Sequence, residues 1–209
     1  MRKLTIDDDV FRIRDRIVKI YLRIILRLFK RLNQGLINGL DEMNVLGLVN
    51  SSYEEIIKVT VEALVKIARD THDWLSDDDF PADMWLDGFL KEFDPVTHYR
   101  FHEEADRKRM RLFESLMSCN NAPERKKQIE IALRYWVQQF EQTADNVVEA
   151  VLKKVYQDNS VKFVMWHIMK DAKVCPDCHA RNGKIYPINS PLLRPLHYNC
   201  RCWWTPVIK

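Results

Sequence analysis

Four of the five cysteines in this 209-residue chain are crowded near its end, as Cys175-Pro-Asp-Cys178 and His197-Tyr-Asn-Cys200-Arg-Cys202. A Cys-x-x-Cys turn aims two thiolates at one centre, and backbone N–H groups support the sulfurs. A tetrahedral zinc ion then needs two more ligands, and His197, Cys200 and Cys202 offer three candidates. Cys175, Cys178, Cys200 and His197 form the favoured set, because His197-x-x-Cys200 has a turn-like spacing similar to that of the first pair. On a regular strand Cys200 and Cys202 share a face, so a Cys200/Cys202 pair stays open as the alternative. The 50-odd residues around these side chains are too few to build a stable core. The binding energy of a structural Zn²⁺ would become their folding energy. Disulfides and unmetallated buried thiols are the competing readings. No open catalytic position on the metal is legible.

The rest of the chain reads as helix. It has only 5 Gly and 8 Pro, with 46% hydrophobic and 30% charged residues, a composition that excludes disordered and collagen-like chains. A first helix is predicted from about Asp9 to about Asn33, with Asp7, Asp8 and Asp9 suited to its positive end. Arg12, Arg16, Lys19, Arg23 and Arg27 recur at steps of three or four and share one face of it. Apolar residues occupy a wide arc beside that basic seam, so the helix needs partners. Gly35, Gly39 and Gly47 mark a flexible stretch. Ser51-x-x-Glu54 and Ser52-x-x-Glu55 read as capping boxes that open a second helix to about Asp73. An acidic loop, Ser76 to Pro81, leads to a short helix from Ala82 to Phe93, ended by Asp94-Pro95. Further helices are expected from Val96 to Ser118 and from Glu124 to Tyr156.

After Asn159 the texture changes. Val161 to Met169 is rich in β-branched and aromatic residues and reads as a strand. Ile185-Tyr186 and Cys200 to Val207 read as further short strands, and Asn182-Gly183 as a hairpin turn. The expected fold class is mainly α, with a long-helix body over residues 1–159. A small α+β, zinc-stabilised module follows over residues 160–209.

Net charge is only +3, but it is unevenly spread. Residues 1–35 carry ten Lys and Arg against four Asp and Glu, and residues 160–209 carry eight against two, so the middle is acidic. Basic ends point to acidic or anionic partners. Lys184, Arg194 and Arg201 are the contact candidates near the cysteines. No run is apolar enough for a membrane helix, and no signal peptide is visible; a reducing cytoplasm fits the odd cysteine count. No Gly-rich phosphate loop, nucleophile elbow or acid–base–nucleophile set is legible, so no enzyme is expected.

The segment Trp166 to Val207 resembles the C-terminal signature of phage minor head proteins, the Mu F-like head morphogenesis family. The motifs are Trp166-x4-Asp171, Val174-Cys175-Pro176-x-Cys178, Asn182-Gly183-Lys184-x-Tyr186, Pro195-x-His197-x2-Cys200-Arg201-Cys202 and Pro206-Val207. The helical residues Arg134, Glu141, Thr143 and Asn146 loosely resemble polar positions that precede the signature. One departure is Arg194-Pro195-Leu196-His197, which keeps a single proline where many members have two. Members lacking the Cys-x-x-Cys pair exist, so the zinc expectation rests on this chain's own thiols. The resemblance implies a structural minor capsid protein of a tailed phage, present in several copies near the portal. It implies the portal protein and capsid subunits as partners, and packaged DNA as a further contact. Its place would be the virion, and the host cytoplasm during assembly. A zinc-stabilised nucleic-acid-binding module is the alternative.

Overall fold

Four long helices and a small sheet make up the chain in the computed structural model, which describes residues 9–36, 41–76, 82–168, 174–191 and 202–207. The helices are α1 (Asp9–Leu36), α2 (Glu42–Leu75), α3 (Ala82–Met117) and α4 (Ala122–Asp158). Then come β1 (Phe163–His167), α5 (Pro176–Arg181), β2 (Ile185–Pro187) and β3 (Trp203–Pro206). No described helix is long and apolar enough to cross a membrane.

In α1, Ile17, Val18, Ile25, Leu28, Phe29 and Leu32 are buried. At 100° per residue they fall on one arc, opposite the basic seam. Ile20 and Leu26 remain about half exposed, at 47% and 48%. The apolar arc is therefore narrower in the fold than in the sequence pattern.

The second helix starts earlier than Ser51. Asp41 caps it, its carboxylate accepting from the Asn44 backbone N–H at 2.9 Å and the Asn44 side-chain amide at 2.9 Å. Ser51 instead donates to the Leu48 carbonyl of its own helix. Val45, Val49, Tyr53 and Ile56 are buried at helical spacing, and that burial outweighs the roughly 1 kcal/mol that Gly47 costs inside a helix. Gly35 has a packing role: a Cβ there would collide with the Leu48 side chain.

The expected break at Asp94-Pro95 is also absent, and α3 continues through it. Proline's penalty is local and of order 3 kcal/mol. The flanking turns are anchored by Leu86 and Phe89 before it and by Ala105, Leu112 and Leu116 after it. The start of α4 follows expectation. The Glu124 N–H donates to the Asn121 side chain at 2.9 Å, and the Glu124 carboxylate reaches back to the Asn120 N–H at 2.8 Å.

The chain folds as two units. One comprises the chain up to Arg14, Ile67–Phe89 and everything from Asp145 on; the other comprises Asp15–Lys66 and Leu90–Ala144. In the second unit, segments of all four helices share one core. Tyr53 meets Phe29 and Trp136 edge-on, with ring centres 6.4 and 5.5 Å apart. The buried Thr60 hydroxyl accepts from the Trp136 indole N–H at 3.3 Å and donates to the Ile56 carbonyl at 2.7 Å.

In the first unit, β1 is the middle strand of an antiparallel sheet ordered β2-β1-β3. Val164 faces Tyr186 and Pro206, and Trp166 faces Trp204. The end of α4 holds this sheet. The Tyr156 hydroxyl donates to the Trp204 carbonyl at 3.3 Å, and the Gln157 amide donates to Asn189 at 2.7 Å. Arg14 and Asp145 form an ion pair at 2.8 Å, with both side chains only 13% exposed.

Candidate functional site

The cysteine segment is built around α5. Cys175 sits at the N-cap of this six-residue helix, followed by Pro176 at its first position. The Cys178 backbone N–H donates to the Cys175 sulfur at 3.3 Å. This is the backbone support expected of a Cys-x-x-Cys turn. The helix was not foreseen, because six residues are too few to show a periodic pattern. It also corrects the reading of Asn182-Gly183. That pair does not join two strands as a hairpin; it ends α5 and turns the chain into β2. Gly183 has φ +75°, a conformation that favours glycine. Its N–H donates to the Trp166 carbonyl at 2.8 Å, and the Trp166 N–H donates to the Lys184 carbonyl at 2.9 Å.

Cys178 is 1% exposed and Cys202 5%, while Cys175 is half-buried. Cys119 donates to the Ser115 carbonyl at 3.1 Å at the end of α3, a structural contact. His197, Cys200, Arg194 and Arg201 lie outside the described residues. Among the described residues no three His, Cys, Asp or Glu side chains converge on one point, so Cys175, Cys178 and Cys202 do not form a three-ligand group by themselves.

Around the thiols stands an aromatic cluster. Trp166 is buried in β1, and the Arg181 guanidinium from α5 lies 5.3 Å from its ring centre. Tyr186 meets Trp166 edge-on at 6.3 Å. On β1 the His167 ring stacks on Trp203, and its Nε2 lies 2.7 Å from the Thr205 hydroxyl. Burial holds the His167 imidazole below its ordinary pKa, favouring the neutral ring. The Arg181–Trp166 contact had no signal in the sequence, since it depends on the unforeseen helix. Of the loosely matched helical residues, Thr143 is buried and donates to the Gln139 carbonyl at 2.8 Å.

The described basic contact candidates of α1 share the exposed face that their spacing predicts. Arg16, Lys19, Arg23 and Arg27 are all exposed along α1 and have no acidic partner among the described residues. Arg12 and Lys184 are exposed as well. The α1 candidates form a row of cations along one helix face, and a row of like charge raises the local positive potential.

Residues 109–205, a little under half of the chain, match the family described as Phage Mu protein F like protein. The matched span runs from within α3 through α4 and the sheet into β3. No curated protein and no solved structure matches the chain.

Proposed function

From the match of residues 109–205 to the Phage Mu protein F like family, we infer that this chain belongs to it and is a structural protein of phage head morphogenesis that associates with the portal. The family match is the observation that carries this reading. The structure supports it with two features that suit assembly: exposed cations in a row on α1, and a small sheet seated on the end of α4. We propose that the protein resides in the virion near the portal in a few copies, assembles in the host cytoplasm, and contacts portal and capsid subunits. Its role is structural, with no catalytic step assigned.

The cysteine segment fits a structural zinc ion. The thiol of Cys178 is buried, Cys175 already receives backbone support, and soft sulfur ligands suit zinc. Cys175, Cys178, Cys200 and His197 would hold the ion, with Cys202 as the alternative fourth ligand. The metal would supply folding energy to the sheet and no chemistry.

Packaged DNA is the second partner, supported by Arg16, Lys19, Arg23 and Arg27. Replacing these four with Gln is expected to lower the slope of log affinity against log salt by about three to four. Co-expression with the portal protein of the same phage tests the main reading. Co-elution with the portal oligomer is expected, and recovery only as free protein would overturn it.

A further inference from the structure

In the unit formed by Asp15–Lys66 and Leu90–Ala144, a cleft of 290 Å³ opens between α3 and α4, with a residue of α2 among its lining. That residue is Tyr53, which is 1% exposed, yet its hydroxyl has no hydrogen-bond partner among the described residues. Burial raises the Tyr53 pKa, and the neighbouring Tyr135 raises it further, so the hydroxyl keeps its proton and remains a donor. Tyr135, on the cleft wall, is pushed up to about 12 and donates to Glu104 at 3.1 Å.

Two cations border the same space. Lys108 holds its ammonium 3.7 Å from the centre of the Tyr135 ring. Arg111, one turn further along α3, is exposed and has no acidic partner among the described residues. The acidic side chain next to this wall is Glu104, and it is already engaged by Arg107 and Tyr135. Leu112 and Ile131 make other parts of the lining apolar. The Gln128 amide also lines the cleft and has no partner among the described residues.

We propose that this cleft binds a small aromatic carboxylate. The ring fills the space between Leu112, Ile131 and the Tyr135 edge, and the carboxylate meets Arg111 and Lys108 and accepts from the Tyr53 hydroxyl. A bare inorganic anion leaves the apolar walls empty. A neutral ring leaves Arg111 and the Tyr53 hydroxyl unmatched. The proposal is independent of the portal reading, because it rests on side chains of three helices and not on the family match.

The test is calorimetric titration of the full chain with 3-phenylpropionate and with its neutral isostere 3-phenylpropionamide. The acid is expected to bind saturably, and about tenfold or more tighter than the amide, as a charge-assisted contact requires. Arg111→Gln, at an exposed position, is expected to weaken the acid about five- to tenfold, and Tyr53→Phe several-fold. Equal binding of acid and amide would overturn the proposal. So would no saturable binding up to about 10 mM, the weak end of specific recognition. Unchanged affinity in both variants would overturn it too. The acid–amide comparison needs no variant, so a folding defect in Tyr53→Phe leaves it decisive.

Discussion

Phe140 and Trp166 are equally buried, at 0% and 1%, but they sit in different kinds of core. Phe140 belongs to a core to which segments of four helices contribute, with Tyr53, Trp136 and Ile56 among its buried members. Trp166 belongs to a sheet whose strands have five, three and four residues. Its indole N–H is buried without a hydrogen-bond partner among the described residues. The helical core spreads its stability over many apolar contacts, so losing one leaves the others. The sheet relies on Val164, Trp166, Trp204 and the last turns of α4, and short strands gain little alone. A region built that way needs a further tie, which is the physical case for metal at the cysteines.

Metal removal should expose the contrast most. Chelation, or Cys178→Ser, is expected to abolish the near-ultraviolet dichroism of Trp166, Trp203 and Trp204. The helical far-ultraviolet signal should keep most of its amplitude. Loss of both signals together would show that the helices depend on the sheet, and loss of neither would remove the metal from the account.

Truncation comes next. Trp166→Ala and Phe140→Ala should each cost about 3–5 kcal/mol. The first should act on the aromatic signal of the sheet, the second on the main helical transition, as followed by denaturant unfolding at two wavelengths. A common transition for both would dissolve the distinction between the regions.

Within the helical core, Thr60→Val leaves the Trp136 indole without its buried acceptor while preserving shape. The expected loss is about 1–3 kcal/mol of unfolding free energy, measured in urea. Acidity gives the smallest effect. The folded pKa of His167 lies below its unfolded value of about 6.5, so the unfolded chain binds the proton more readily. Stability of the sheet should therefore be full above about pH 6.5 and decline as pH falls below that value. It should level off once the folded imidazole is also protonated. His167→Gln should flatten this dependence in a series of melts between pH 7 and 5.

How much of this was legible in the sequence follows the same divide. The start of α1 at Asp9, the start of α4 near Glu124 and the exposed face of Arg16, Lys19, Arg23 and Arg27 follow from spacing and local helix signals. Sequence reading went wrong where local signals were overruled by packing. Ser51 and Ser52 look like caps but lie inside α2, because Val45 and Val49 bury the turn before them. Pro95 looks like a stop, but buried residues on both flanks carry the helix through. Asn182-Gly183 looks like a hairpin, since nothing local announces a six-residue helix. The strands were visible from their aromatic and β-branched content, though their order was not. The cleft at Tyr53 was invisible, because Lys108 and Arg111 of α3 meet Tyr53 of α2 and Gln128 of α4 only through the packing of separate helices.

The central claim is that this chain is a working part of a phage head, and particle composition addresses it most directly. Quantitative mass spectrometry of purified heads and virions, normalised to the portal protein, should find the chain at a fixed low ratio to the portal ring. Its absence from both particles, with the protein abundant in the infected cell, would contradict the account.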